Sequence, residues 1–132
     1  MKMSSLDKKS KGQLEAEISA ALTQFERDHL GRGPKEARTF IIQDMILIRL
    51  KGVLTPAEEK LAAEKDGAQL IKQVRMRLIE SSRPLLERII NDKTGAEVKT
   101  LHTDISSRTG ERVFVVCLNK NLEEELKKGA VD

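Results

Sequence analysis

From Lys35 to Gly52 the chain reads KEARTFIIQDMILIRLKG. The stretch is rich in β-branched and large apolar residues, which favour strands, and its apolar middle is broken only by Gln43 and Asp44. It therefore predicts a β-hairpin that turns at these two polar residues. Because alternate residues of a strand point to opposite faces, this turn gives one almost wholly apolar face. That face carries Ala37, Thr39, Ile41, Ile46, Ile48 and Leu50.

The opposite face of this hairpin mixes apolar and basic residues. It carries Arg38, Phe40, Ile42, Met45, Leu47 and Arg49. The register places Arg38 directly across from Arg49, and like charges in that position are costly unless something neutralises them. The pair is a candidate site for an anion or an acidic partner. An equally good explanation of the pair is that the two arginine side chains point away from each other into solvent and bind nothing.

Helical patterns flank the hairpin. The preceding segment repeats apolar residues at steps of three and four, which predicts a helix from about Gly12 to Leu30 that ends before Pro34. After the hairpin, Thr55-Pro56-Ala57-Glu58 combines an N-cap hydroxyl, a proline at the first helical position and a glutamate three residues after the cap. This capping box predicts the start of a short helix.

A longer helix is predicted to follow Gly67 and to run to about Lys93, with Pro84 expected to kink or interrupt it. Its apolar arc should face the core and consists of Leu70, Ile71, Val74, Leu78, Leu85, Leu86 and Ile89. Residues 96–106 and 111–119 then predict a second hairpin. We expect its core face to carry Leu101, Thr103, Ile105, Phe114, Val116 and Leu118. The other face should carry Val98, Thr100, His102, Asp104, Val113, Val115 and Cys117.

The element order α-β-β-α-α-β-β predicts an α+β fold: a four-stranded antiparallel sheet, built from two β-hairpins, with the helices packed on one face. Residues 10–119 are expected to form a single domain, residues 1–9 a flexible N-terminal tail, and residues 120–132 a short helical or disordered C-terminal tail. Both sheet faces are substantially apolar, yet helices are available for only one. We therefore predict a homo-oligomer that covers the second face.

Composition restricts the classes of function. The net charge of +3 comes from 24 basic and 21 acidic residues that are mixed along the chain, which is weak support for nucleic-acid binding. No apolar run approaches the ~18 residues that span a membrane, so direct membrane insertion is not expected. The basic N-terminal residues lack the apolar region of an export signal, and the single cysteine cannot form an internal disulfide. These features predict a cytoplasmic protein.

The sequence permits a catalytic arrangement of Cys117, His102 and Asp104, but this pattern is only weak evidence for an enzyme. His102 and Asp104 share one face of a predicted strand, and Cys117 is expected to neighbour Thr100, which brings together the residue types of a thiol enzyme. A lone cysteine inside an apolar run is more often an inert core residue. The other histidine, His29, suits the dipole at a helix C-terminus better than a metal. We therefore predict no enzymatic activity, no cofactor and no metal.

Three stretches, Gly31–Thr39, Arg49–Glu58 and Leu101–Arg112, resemble a bacterial family named for the MpsC component of sodium-translocating membrane-potential-generating systems. The resemblance covers roughly residues 8–119. It implies a role beside a membrane cation-translocating or bicarbonate-uptake system, and it brings no catalytic residues with it.

Our leading hypothesis is a non-enzymatic cytoplasmic interaction module that self-associates and docks on subunits of a membrane transport complex. Its candidate interaction residues are Arg32, Arg38, Arg49, His102, Asp104, Arg108 and Arg112. The alternative is a nucleic-acid-associated regulator that uses the basic tail together with Arg38, Arg49, Arg108 and Arg112. A thiol enzyme that uses Cys117 is the third hypothesis.

Overall fold

The computed structural model describes residues 9–131. The predicted N-terminal tail therefore lies, apart from Lys9, outside the described residues. The elements are α1 (Lys11–His29), β1 (Glu36–Ile42), β2 (Met45–Lys51), α2 (Pro56–Ala62), α3 (Lys65–Thr94), β3 (Val98–Ile105), β4 (Arg112–Leu118) and α4 (Leu122–Val131). This order confirms the predicted α+β fold, and α4 lies in the segment that was predicted as a short helical or disordered C-terminal tail.

The four strands form one antiparallel sheet in the order β1-β2-β4-β3. Both hairpins have the predicted register, since Ile42 pairs with Met45 across the turn of the first and Ile105 pairs with Arg112 in the second. Gln43 has φ 56°, a left-handed conformation that glycine adopts more easily. The two hairpins join through β2 and β4, so β1 and β3 are the edges of the sheet.

The core lies between the sheet and the helices, which all pack on one face. In α1 the buried apolar residues Leu14, Ile18, Leu22 and Phe25 follow the predicted helical spacing. In the sheet the buried side chains include Ile41, Ile46, Ile48, Leu50, Leu101, Phe114, Val116 and Leu118. Leu122 and Leu126 of α4 belong to the same core. The C-terminal helix is thus packed on the domain.

Local signals fix the ends of the helices after the first hairpin. Thr55 and Glu58 form the predicted capping box at the start of α2, with Pro56 at the first helical position. The helix α3 continues through Pro84 and ends at Gly95, which has the left-handed φ of 70°. Pro84 therefore does not end this helix.

The inward face of α3 is narrower than the sequence analysis predicted. Leu70, Val74 and Leu78, which were expected in the core, are exposed, and Leu70 keeps 50% of its surface. The inward stripe of this part of α3 instead holds Ile71 and Ile79 with Arg75 between them. Leu70, Val74 and Leu78 each precede one of these residues and so point about 100° away around the helix.

A second correction concerns Val98, which was expected on the face of the sheet away from the helices. The pairing of β3 with β4 shifts between Val98 and Thr100, so Lys99 is an extra residue in the ladder. Such a bulge reverses the alternation of side chains along the strand. Val98 consequently packs against the core, although the faces predicted from Thr100 onward are as expected.

Candidate functional site

The side of the sheet away from the helices is left uncovered by the described elements, and we call it the outer face. The strand registers arrange its side chains in three rows that run across β1, β2, β4 and β3. The first row is Arg38, Arg49, Val113 and Asp104. The second is Phe40, Leu47, Val115 and His102. The third is Ile42, Met45, Cys117 and Thr100.

The outer face is apolar at its centre. Leu47, Met45, Val115 and Cys117 occupy the two central strands, and each is half-buried by its neighbours in the sheet. At the β1 edge, Phe40 and Ile42 keep 38% and 42% of their surface. These exposures show that no described element packs over them. A contiguous exposed apolar surface of this kind marks an interaction site.

Charged residues lie at one end and at both edges of the outer face. Arg38 pairs with Arg49 across the strands, as predicted. Arg49 is neutralised within the chain, because its Nε and Nη2 donate to Oε2 of Glu111 at 3.1 and 2.7 Å. Arg38 has only a long contact of 3.7 Å with Glu36, and 66% of its side chain is exposed.

Asp104 occupies the other end of the row that begins with Arg38, on the opposite edge of the sheet. Its side chain is 69% exposed and lies 3.4 Å from Nζ of Lys72. The first row therefore presents an exposed cation on β1 and an exposed anion on β3. Their separation across four strands prevents them from pairing within one chain.

Both edges of the sheet are blocked against pairing with another strand. On β1 the backbone N–H of Ile41 donates to Oε2 of Glu15 at 2.8 Å. On β3 the carbonyl of Leu101 accepts from Nη1 of Arg83 at 2.9 Å, and the bulge at Lys99 interrupts the ladder. Edge strands invite further strands unless their backbone groups are occupied or their geometry is disturbed. The outer face is open while the edges are not.

The structure brings together four of the seven predicted interaction residues. Arg38, Arg49, His102 and Asp104 all lie on the outer face. Arg32 lies elsewhere, where its Nη1 donates to the carbonyl of Leu54 at 3.3 Å. Arg108 is exposed in the turn between β3 and β4.

Arg112 requires a correction, because it was expected on an exposed hairpin and is almost fully buried. It stands in β4 two residues before Phe114 and shares the inward face of the strand. Its guanidinium carbon lies 5.7 Å from the centre of the Phe114 ring, a cation–π geometry. This arginine cannot contribute to a surface interaction.

Cys117, His102 and Asp104, the residues of the hypothetical thiol enzyme, do not lie directly opposite one another in the sheet. Cys117 lies across from Thr100 and Met45, while His102 lies across from Val115. No hydrogen bond or ion pair joins Cys117 to His102 or Asp104 among residues 9–128. In the same range no group of three histidine, cysteine or acidic residues could hold a metal ion.

A buried charge cluster, which the sequence analysis did not predict, consists of Glu26, Arg75 and Arg112. The three side chains come from α1, α3 and β4 and are all buried. Oε1 of Glu26 lies 3.8 Å from Nη1 of Arg75, and Oε2 lies 3.9 Å from Nε of Arg112. These separations are too long for direct hydrogen bonds. Both carboxylate oxygens accordingly lack a hydrogen-bond partner among the described residues.

The two arginines of the cluster are held by other groups. Nη2 and Nε of Arg75 donate to Oε1 and Oε2 of Glu58 at 2.6 and 3.0 Å, and Nη2 also donates to the carbonyl of Val53. Nη1 of Arg112 donates to Oγ1 of Thr103 at 3.0 Å. Burial raises the pKa of Glu26 to about 7, although the charges of Arg112 and Arg75 oppose the rise. The cluster links α1, α3 and β4 through ion pairs, and Glu58 extends these contacts to α2.

A sequence profile of the family described as "Na+-translocating membrane potential-generating system (MpsC)" matches residues 10–120. The chain belongs to the MpsC family. It is 52% identical over 121 residues to "Uncharacterized protein YbcI" of Bacillus subtilis (strain 168), which covers 92% of this chain and 98% of that protein. Membership confirms the resemblance that the three sequence stretches carry.

A more distant relative is "Uncharacterized protein YrhF" of the same organism, which is 22% identical over 111 residues, 83% of this chain and 90% of that protein. No solved structure matches the chain. None of the described helices is long and apolar enough to cross a membrane. The family match over residues 10–120 includes both hairpins of the outer face.

Proposed function

We propose that this MpsC-family protein is a non-enzymatic interaction module that self-associates through its outer face. The observation that carries the proposal is the uncovered apolar centre of that face beside two blocked edges. Burial of apolar surface is the main driving force of association, and it is available only where such surface meets water. A second copy supplies a surface of the same apolar composition, as a two-fold interface requires.

The nucleic-acid alternative has less support from the geometry. Of the four arginines that it invokes, Arg112 is buried and Arg49 is paired with Glu111. Binding of single strands relies on exposed aromatic side chains, on which bases stack. Phe25 and Phe114 are buried, so Phe40 is the one exposed phenylalanine in the described part of the chain, and the sequence has no tryptophan or tyrosine.

Light scattering during size-exclusion chromatography tests self-association over a range of protein concentrations. The wild type should be dimeric at high concentration. Ile42→Lys should make it monomeric, because a buried lysine on the outer face has no partner for its charge. Leu70→Lys, on the exposed apolar stripe of α3, is the matched control and should leave the dimer intact.

Two results would contradict the proposal. One is a wild type that stays monomeric at every concentration. The other is a dimer that survives Ile42→Lys and is lost in Leu70→Lys, which would assign the interface to α3. Circular dichroism of both variants shows whether a loss of association reflects a loss of fold.

We extend the proposal to an accessory role beside a membrane cation-translocating system, which is the setting named in the family description. Purification of the tagged protein from native cells after mild cross-linking tests this role. Recovery of integral-membrane subunits of a cation transporter with the wild type, and their loss with Ile42→Lys, would support it. Recovery of no such subunit would overturn the extension. Retention of RNA or DNA that falls with rising salt would favour the alternative instead.

A further inference from the structure

Resting on the proposed self-association, we infer the symmetry of the dimer: a two-fold axis parallel to the strands sets Arg38 of one copy against Asp104 of the other. When two copies of one sheet face stack with their strands aligned, the two-fold axis in the interface runs either along the strands or across them. The two choices bring different residues together, and the charges on the outer face distinguish them.

A two-fold axis along the strands reverses the order of the strands in the second copy, but each row still faces the same row of that copy. The strand β1 then lies over β3 of the second copy, and β2 lies over β4. Within the first row Arg38 meets Asp104 of the second copy, and the symmetry repeats this contact at the other edge. Each copy presents these charges on side chains that are 66% and 69% exposed, so both can reach a second copy. Within its own chain Arg38 lies 3.7 Å from Glu36. Oδ1 of Asp104 lies 3.4 Å from Nζ of Lys72 and accepts the N–H of Ile105 at 2.8 Å.

A two-fold axis across the strands sets each strand over the same strand of the second copy, but it reverses the order of the three rows in that copy. Through the second row, such an axis sets Arg38 over the apolar Ile42 of the second copy. Arg49 does not distinguish the two axes, because it lies over Met45 here and over Val113 when the axis runs along the strands. Through the first row, an axis across the strands sets Arg38 over Arg38. Both outcomes are unfavourable, because one buries a charge against apolar groups and the other opposes like charges. Charge complementarity therefore selects the axis along the strands.

The selected axis also groups the apolar residues at the centre of the interface. Leu47 meets Val115 of the second copy, and Met45 meets Cys117. Phe40 and Ile42 meet His102 and Thr100 of the second copy toward the rim. An apolar centre with a polar and charged rim is the usual anatomy of a protein interface. Aligned sheets cross at about 30°, which a two-fold axis close to the strand direction allows.

The size of the outer face predicts a dimer that dissociates readily. Four strands about 4.8 Å apart and three rows about 7 Å apart cover a plane of about 400 Å². Stable complexes bury about 800 Å² on each partner, so the outer face alone is about half of that size. We therefore expect the monomer–dimer equilibrium to fall at accessible protein concentrations, where changes of Kd can be measured.

Exchanging the charges of Arg38 and Asp104 tests the direction of the two-fold axis. Arg38→Asp and Asp104→Arg should each raise the dimer Kd by about tenfold or more, since each places like charges together at two symmetric positions. The double variant R38D/D104R should return the Kd to within about threefold of the wild type. Matched controls are Arg88→Asp, Asp92→Arg and their combination, at exposed positions of α3. These change net charge by the same amounts and should leave the Kd unchanged.

Cysteine cross-linking gives a second, independent measurement. In a Cys117→Ser background, Phe40→Cys and His102→Cys lie on opposite edges of one sheet, about 14 Å apart at the usual strand spacing. The inferred axis sets them opposite each other between copies, where stacked sheets lie about 10 Å apart, which is too far for a direct disulfide. A short bis-maleimide linker should then give a covalent dimer on a denaturing gel, and either single substitution in the same background should not.

The outcomes separate the inference from the proposed function. A wild-type dimer that Ile42→Lys abolishes, but that neither the charge exchange restores nor the cysteine pair cross-links, would overturn the axis and leave self-association standing. A wild type that never dimerises would overturn both.

Discussion

Oε1 of Glu26 lies 3.8 Å from Nη1 of Arg75, and neither side chain is exposed to solvent. Burial raises the pKa of Glu26 to about 7 from its ordinary value of 4.5, against the opposing charges of Arg112 and Arg75. The folded protein therefore binds this proton more tightly than the unfolded chain does. The resulting stability is fully present below pH 4.5 and is lost as the pH rises through 7.

The first prediction is that the free energy of unfolding falls between pH 4.5 and pH 7 by up to about 3 kcal/mol through Glu26. Glu26→Gln, which carries no titrating proton, should flatten this part of the profile. Denaturant unfolding at half-unit pH intervals measures it. The control is Glu80→Gln, because a hydrogen bond from Arg83 lowers the pKa of Glu80 and its titration falls below this window. A decline that persists in Glu26→Gln would contradict the prediction.

The second prediction concerns Arg112, whose charge is buried beside Glu26. At pH 8, where Glu26 is ionised, Arg112→Leu should cost about 3 kcal/mol or more, because it leaves a buried carboxylate with one fewer counter-charge. Glu26→Leu should cost a similar amount, since it leaves Arg112 without an anion. The double variant should lose less than the sum by at least about 1 kcal/mol. Additive losses in denaturant unfolding would show that the two charges do not interact.

Much of the fold could be predicted because its signals are local or strictly periodic. The capping box that starts α2 needs only Thr55, Pro56 and Glu58, which are close in sequence. The two faces of each hairpin follow from an alternation of period two once the turn is placed. For this reason the opposition of Arg38 and Arg49, and the gathering of His102 and Asp104 on one face, could be derived without tertiary contacts.

The buried charge cluster could not be predicted in the same way, although each of its members left a signal. Glu26 follows Leu22 by four residues, Arg75 follows Ile71 by four, and Arg112 precedes Phe114 by two. Each charge is thus in phase with an apolar stripe, which indicates that it faces the core. The pattern does not show that three such faces meet at one point.

Other errors arose from tertiary packing that a sequence pattern does not contain. The apolar arc on α3 is wider than the stripe that the core covers, so the exposure of Leu70 and Val74, about 100° around the helix from that stripe, was not predicted. The position of Val98 depended on one inserted residue, Lys99, in an otherwise regular ladder. Each error is a tertiary effect on a correctly predicted element.

The third prediction compares one substitution at two glycines. A Cβ on Gly67 would overlap the backbone oxygen of Leu61, and no rotation of a side chain can relieve that overlap. Gly67→Ala should therefore destabilise the protein by about 2 kcal/mol or more. A Cβ on Gly12, in the first turn of α1, meets nothing within 4 Å. Gly12→Ala should stabilise it by up to about 1 kcal/mol through helix propensity.

Thermal and denaturant unfolding of the two variants check these opposite signs. Destabilisation in both would contradict the open space at Gly12. A neutral Gly67→Ala would show that the start of α3 can move away from the end of α2.

The fourth prediction compares the two capping boxes, which have the same local geometry and different surroundings. At the start of α1 the backbone N–H of Gln13 donates to Oγ of Ser10 at 3.1 Å, and the Gln13 side chain accepts from the Ser10 N–H at an exposed site. At the start of α2, Oγ1 of Thr55 accepts from the N–H of Glu58 at 3.1 Å. Loss of a capping hydroxyl by itself costs about 1 kcal/mol.

Removal of the cap at Thr55 should cost more free energy of unfolding, because this cap orients the carboxylate of Glu58, which also binds Arg75. Oε1 of Glu58 accepts both the Thr55 N–H at 2.9 Å and Nη2 of Arg75 at 2.6 Å. Thr55→Ala frees the first turn of α2 and loosens the anion that holds a buried guanidinium. We expect a loss of about 1 kcal/mol for Ser10→Ala and about 2 kcal/mol for Thr55→Ala in denaturant unfolding. Equal losses would show that Glu58 keeps its contact with Arg75 without the cap.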